Sequence, residues 1–258
     1  MERFTRGMKA RMPEESIRDK PLVGAVVAEV LERIESELFL PSTEFERKRE
    51  LTMAAGYMAV TLGYSLRGNE GFWVDRRRLR EGLDVGRIVS TDPHVIVCLL
   101  GKFKGEDGDR MHLIALANVS RSGIRYRTWL ERVARILKEE EKLEGPAFCD
   151  KEGFMLSPVD VESVLHPILE EMQTDEKFTQ WLPRGLKVED NYRCSRSFRR
   201  GSEITALNQG LSPTVVNFVH RWSKVERAKG KAPGFNMLEH YAKGTKMRPT
   251  QIRFSASL

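Results

Sequence analysis

The sequence predicts a mostly α domain (α+β) with one small antiparallel β-hairpin or sheet. Three observations lead there. Apolar residues recur at helical spacing through most of the chain. Only one stretch, His94 to Leu116, changes to an extended period. No internal repeat or low-complexity tract interrupts the order. At 258 residues, with 40% hydrophobic and 31% charged content, the chain is long and apolar enough to bury a core. A single core stops growing at about 250–300 residues, so a long tandem array is excluded.

Residues 1–20 are basic, contain Pro13 and lack periodicity, so they read as a linker or the end of something upstream, with residues 21–258 as the folded unit. Leu22, Val26, Val30, Ile34 and Leu38 predict an amphipathic helix stopped by Pro41, after which Ser42 or Thr43 is placed to cap a second helix running through Leu51, Met58 and Leu62 toward Leu66. Val95–Leu100 and Met111–Leu116 are two apolar runs around a glycine-rich, Lys-bearing tip, the pattern of a hairpin. Trp129, Val133, Ile136 and Leu137 share a helical face. Ser157-Pro158 announces another helix with Val161, Val164, Leu165 and Leu169. Residues 195–210 and 212–229 predict two more, the first closed by Gly210 and the second opened by Ser212-Pro213.

Charge narrows the function class. The net charge of +6 hides a segregation, for residues 184–258 carry 15 Lys/Arg against 5 Asp/Glu while residues 1–183 are net acidic. A basic third of this kind is expected where one face meets a polyanion, and nucleic acid is the leading partner. No apolar run approaches the roughly 18 residues that span a bilayer, and the N-terminus lacks a signal-peptide core. Cys98, Cys149 and Cys194 are too far apart for a CxxC metal site and are odd in number, so reduced thiols and an intracellular setting are expected.

The residues with chemical potential form an ordered series. Leu66-Arg67-Gly68-Asn69-Glu70 is followed by Gly101-Lys102-Phe103-Lys104, then Arg196-Ser197-Phe198-Arg199-Arg200-Gly201, Gly210, His220-Arg221-Trp222 and Tyr241. Each alone reads equally well as surface: Arg67 as a helix-end arginine paired with Glu70, the lysines as loop charges, the arginines as a solvated face. As a set they resemble the catalytic domain of the tyrosine recombinases (the phage-integrase family), whose second box is His-x-x-Arg on a helix, followed by a glycine, a His or Trp, and the nucleophilic tyrosine.

The resemblance implies a tyrosine-recombinase-like helical fold and assigns roles. Arg67 and Arg199 match the arginines that hold the scissile phosphate, so their guanidiniums and Trp222 should converge on one pocket. Lys102 or Lys104 matches the general acid for the leaving 5′ oxygen, Tyr241 the nucleophile, and Glu70 the residue supporting the site from behind. Arg200, Lys224, Arg227 and Lys229 would contact DNA. Residues 1–20 would be the remnant of the link to an upstream DNA-binding domain, and family members assemble as tetramers on two duplexes, toward which the segment Gln251–Ser255 is placed to dock on a neighbour. No cofactor is implied; localisation would be nuclear in a eukaryotic host and cytoplasmic otherwise.

Two positions depart from the family pattern. Arg196 stands where the box has histidine, removing an imidazole that would accept the tyrosine proton. The stretch from Trp222 to Tyr241 is longer than in bacterial and phage members and resembles the Crypton-like recombinases of eukaryotic mobile elements. The residue types also make sense without the family. Guanidiniums fork onto two nonbridging oxygens and neutralise charge as phosphorus becomes pentacoordinate. A phenol with a pKa near 10 becomes a nucleophile when cations stabilise its phenolate. Arginines then do what a divalent ion does elsewhere. A type IB topoisomerase-like enzyme would use the same set, and a catalytically inactive DNA-binding remnant would retain the basic face alone. Should Tyr241 not be the nucleophile, Tyr192 is the nearest tyrosine in a basic context.

Overall fold

The computed structural model describes residues 19–71, 95–100, 112–142, 144–220 and 247–258. Its architecture is mostly helical, with one two-stranded antiparallel sheet. The central element is helix α2 (Phe45–Gly63), flanked by α1 (Gly24–Leu38), α4 (Tyr126–Glu139), α5 (Pro158–Met172) and α7 (Ser197–Asn208). From Leu51 to Gly63 every residue of α2 is buried, the signature of a helix surrounded on all sides. Tyr57 sits in the middle of that stretch, with the rings of Phe148 and Phe198 edge-on at 6.0 and 6.3 Å.

The short helix α3 (Gly68–Gly71) follows α2 almost directly, and α6 (Val188–Asn191) precedes α7. Strands β1 (Val95–Leu100) and β2 (His112–Ala117) pair in register from Val95 with Ala117 to Leu100 with His112. The outer edge of β2 is covered by α9 (Met247–Ser257), which provides side-chain acceptors in place of a third strand. Gln251 Oε1 accepts from Ala115 N–H at 3.1 Å and Ser255 Oγ from Ala117 N–H at 2.9 Å. Gln251 and Ser255, in the segment expected to dock on a neighbour, thus engage β2 of their own chain. No helix of the described residues is long and apolar enough to cross a membrane.

Several boundaries differ from expectation for local reasons. Helix α1 ends at Leu38, before Pro41, and α2 begins at Phe45 with Glu44 as its N-cap and no side-chain cap. Thr43 lies one residue ahead of the N-cap, out of place to accept from the first turn of α2, and its hydroxyl donates to the Glu37 carbonyl at 2.7 Å at the end of α1. Helix α7 spans Ser197–Asn208, shorter at both ends than residues 195–210, and stops where Gly210 takes φ of +81°. Helix α8 (Pro213–Val219) starts where Ser212-Pro213 predicts, and the rest of residues 212–229 beyond His220 lies outside the described residues. Ser157 forms the expected cap of α5, in a reciprocal capping box with Asp160.

Opposite α7, a buried ionic staple ties the end of α4 to α2. Arg49 donates Nε to Glu140 at 2.5 Å, and Nη1 and Nη2 to the carbonyls of Cys149 and Asp150 at 2.8 and 2.6 Å. Burial alone would raise the Glu140 carboxyl, yet the hydrogen bonds and charges of Arg49 and Lys142 hold it below the usual carboxylate range.

Candidate active site

The site is built where α2 ends and α7 begins. Helix α2 closes in a Schellman turn: the N–H of Ser65 bonds the carbonyl of Leu62 at 3.0 Å, and that of Leu66 the carbonyl of Thr61 at 2.9 Å. The residue at the left-handed position of this turn is Ser65, with φ of +51°. Glycine normally takes that place, as Gly210 does at the end of α7, and a side chain there costs about 1–2 kcal/mol. Glu141, the other non-glycine residue with positive φ among those described, is exposed; Ser65 is wholly buried.

Arg67 comes next and caps α3. The carboxylate of Glu70, 4% exposed, accepts the Arg67 backbone N–H at 2.9 Å and lies 3.5 Å from its Nη1. The Arg-Gly-Asn-Glu spacing thus places an acid at the third helical position, where it bonds back to the capping residue. The Arg67 side chain is 39% exposed. Gly68 lets this turn press against the chain before α7. Its N–H bonds the Ser195 carbonyl at 3.2 Å, and a Cβ there would stand 2.5 Å from Ser195 Cα.

The approach to α7 is braced from α5. His166 Nε2 lies 2.8 Å from the Tyr192 carbonyl and Glu162 accepts the Cys194 N–H at 2.8 Å. Burial, and the Glu162 carboxylate next to it, push the Cys194 thiol well up, so it remains a neutral packing group. Arg196 is the N-cap of α7, Arg199 and Arg200 lie in the first turn, and that turn has no acid. Cations at a helix N-terminus oppose the macrodipole, so this end gains from an anion.

The three arginines are held differently. Arg196, with a 59% exposed side chain, pairs with the Asp19 carboxylate at 3.4 Å, and Arg200 donates to the Asp19 carbonyl at 2.5 Å. Arg199 is 8% exposed and reaches inward. Its Nη1 donates to the Ser65 carbonyl at 2.9 Å and its Nη2 to the His220 carbonyl. Those carbonyls lie at the C-terminal ends of α2 and α8, the negative ends of two helices, which offsets much of the cost of burying the charge.

The first arginine box and the second are therefore joined directly: Ser65 and Gly68, on either side of Arg67, bond Arg199 and Ser195. Lys102, Lys104, Trp222, Tyr241, Lys224, Arg227 and Lys229 lie outside the described residues. Sequence reasoning missed Ser65, Ser202, His220 and Asp19. The only signal was negative, a serine where the end of a helix calls for glycine.

The described tyrosines are all interior. Tyr57, Tyr64, Tyr126 and Tyr192 are at most 3% exposed. Tyr57 donates its hydroxyl to the Gly68 carbonyl at 2.9 Å, Tyr126 to that of Ser255 at 3.3 Å, and Tyr192 to that of Trp181 at 2.6 Å. Burial raises all three phenols, that of Tyr192 to about 12. Tyr192 is thereby corrected as a reserve nucleophile: its oxygen is committed to a carbonyl in the core.

No protein-family model and no curated protein matches the chain. Among solved structures, the chain is similar to the XerH site-specific recombinase bound to difH substrate in a pre-cleavage complex, at TM-score 0.48 and 13% identity, covering 78% of this chain and 46% of that one. The same recombinase on a palindromic difH substrate, in a post-cleavage complex, is similar at TM-score 0.48 and 12% identity over 80% of this chain and 47% of that one. The chain spans about half the length of these recombinase chains.

Proposed function

We propose that this chain is the catalytic domain of a site-specific DNA recombinase that cleaves and rejoins strands through a covalent 3′-phosphotyrosine. The observation that carries the reading is the direct bonding of the Arg67 turn to the Arg199 helix across 134 residues of sequence. Two arginine-bearing segments with no local reason to meet are joined by the Arg199 side chain to the Ser65 carbonyl and by the Gly68 N–H to the Ser195 carbonyl, which supports their holding one phosphate from two sides.

In this mechanism Arg67 and Arg199 neutralise the nonbridging oxygens while the Tyr241 phenol gives its proton to solvent water, no imidazole standing at Arg196, and its oxygen attacks phosphorus. The bond to the 5′ oxygen breaks and that oxygen takes a proton from Lys102 or Lys104, leaving the DNA 3′ phosphate esterified to Tyr241. Reversal by a 5′ hydroxyl rejoins the strand, so the ester conserves the bond and no nucleotide triphosphate is consumed. Trp222 packs beside the phosphate, Glu70 holds Arg67, and Arg200, Lys224, Arg227 and Lys229 contact the duplex. Burial of the other four tyrosines favours Tyr241 as the nucleophile. Residues 1–20 act as the link to an upstream clamping domain, recombination uses four protomers on two duplexes, and the long Trp222–Tyr241 stretch is that of a Crypton-like mobile element.

The test is a nicked duplex that traps the covalent complex, run in EDTA. The wild type should give a denaturant-resistant protein–DNA adduct, and Tyr241→Phe should give none while binding the same duplex with unchanged affinity. An adduct from Tyr241→Phe moves the nucleophile elsewhere. Relaxation of supercoils by a monomer, without sequence preference, would indicate a topoisomerase; binding without any adduct would indicate an inactive remnant.

A further inference from the structure

Behind Arg199 lies a polar cluster larger than a guanidinium anchor needs. Ser65 Oγ is 2.8 Å from His220 Nε2 and 3.0 Å from Ser202 Oγ, and Ser202 Oγ is 2.9 Å from the Arg199 carbonyl. Ser65, Ser202 and His220 are fully buried. The His220 ring also meets Phe254 of α9 edge-on, with centroids 5.9 Å apart.

Ser65 and His220 are the same two residues whose carbonyls receive the Arg199 fork. A side-chain bridge between them fixes the separation of the two carbonyls and so the orientation of the guanidinium plane. A second observation is independent of that bridge. The turn at Ser65 has φ of +51°, a conformation glycine adopts without strain. Glycine would complete the turn and leave out the bridge, so the serine stands here against local preference, as strained residues at functional sites often do.

We propose that Ser65 and His220 are positioning residues that orient Arg199 toward the scissile phosphate, with Ser202 bracing Ser65 from α7. They touch neither DNA nor the reacting atoms and act through the two carbonyls. The inference rests on the reading of Arg199 as a phosphate-holding arginine. Through Phe254 the bridge is also packed against the C-terminal helix, so the seating of α9 bears on the same guanidinium.

The experiment uses the full chain and three variants, His220→Leu, His220→Gln and Ser65→Gly. Single-turnover adduct formation on the nicked duplex is compared with affinity for intact duplex, with thermal melting, and with 15N NMR of the Arg199 guanidinium. His220→Leu should slow adduct formation about 100-fold, the scale of a misplaced catalytic group, with duplex affinity within about threefold of wild type. Glutamine places an amide nitrogen near the position of Nε2, and His220→Gln should recover to within about tenfold of wild type. Ser65→Gly should match His220→Leu although its turn is relaxed.

The Arg199 Nη signals should be resolved and slow to exchange in wild type and His220→Gln, and averaged in His220→Leu and Ser65→Gly. Unchanged Arg199 signals in His220→Leu, or equal impairment of His220→Gln and His220→Leu, overturn the proposal. If wild type forms no adduct, the recombinase reading fails, and the Arg199 signals alone then decide the positioning role. If His220→Leu does not fold, the contrast between Ser65→Gly and His220→Gln decides it.

Discussion

Replacing Arg199 with lysine separates the two things its guanidinium does. The side chain is 8% exposed and makes two bonds to carbonyls of different helices, through Nη1 to Ser65 and Nη2 to His220. Lysine keeps the charge but gathers its donors on one nitrogen, so it reaches one carbonyl and abandons the other. A hydrogen bond to a charged group is worth about 1.5–3 kcal/mol. For a domain of this size each kcal/mol moves the melting temperature by about 2–4 °C, so Arg199→Lys should melt about 3–12 °C lower. Arg199→Ala strands both carbonyls and should cost about 3–5 kcal/mol, near the limit of what a marginally stable domain tolerates. Circular dichroism melts of the three proteins measure this order. Adduct formation by Arg199→Lys, measured where the protein is folded, should fall about 10²–10³-fold, as when one transition-state donor is removed. Melting of both variants within about 1 °C of wild type would refute the packing argument. Wild-type cleavage by folded Arg199→Lys would refute the catalytic one.

Affinity for duplex DNA should fall steeply between low and physiological salt, and the triple replacement of Lys224, Arg227 and Lys229 with alanine should reduce the slope by about 3 while weakening all sequences alike; filter binding across a salt series measures it. Arg196→His restores an imidazole at the start of α7 and should raise the cleavage rate, with the Asp19 pairing lost as a side effect that a melting curve detects. Glu140→Gln should destabilise the fold at neutral pH. Because the folded Glu140 carboxyl is held below its ordinary value, its contribution is present above the unfolded pKa near 4 and disappears as pH falls through the folded one, so wild type and variant should converge in acid denaturation.

Periodicity exposed the elements whose apolar faces are one-sided. Helices α1, α4 and α5 were legible because each must hide one face, the paired strands because two apolar runs flank a glycine-rich tip, and the Ser157-Pro158 start because its cap is made by residues three apart. The Ser42-Thr43 cap was misread because α2 starts one residue later than their position allows, with Glu44 as N-cap, a boundary that apolar periodicity does not fix to the residue. Arg67, Glu70 and Arg199 were singled out by order and resemblance, and the structure brings the segments that carry them into contact. What was not legible is how Arg199 is held. Ser65 and His220 are 155 residues apart and Ser65 and Ser202 are 137 apart, and nothing local distinguishes a serine that bridges two helices from one that faces water. The end of α2 must be known to the residue before Ser65 is seen to occupy a glycine position.

The segment that leads into the domain belongs to the same assembly as the arginines. Between residues 20 and 24 the backbone N–H groups of Lys20, Leu22 and Gly24 bond the Asn191 carbonyl at 2.6 Å, the Ser197 carbonyl at 3.0 Å and the Thr205 hydroxyl at 2.9 Å. The carbonyl of Leu22 presses onto α7 at Gly201, where an added Cβ would stand only 1.7 Å from it. Any larger residue there would force the strand of chain off the helix. Asp19 then turns its carboxylate to Arg196 and its carbonyl to Arg200. Asp19 thereby ties the chain that leads into α1 to the two arginines flanking Arg199. The paired Asp19 is thus an anion already seated where the helix end favours one.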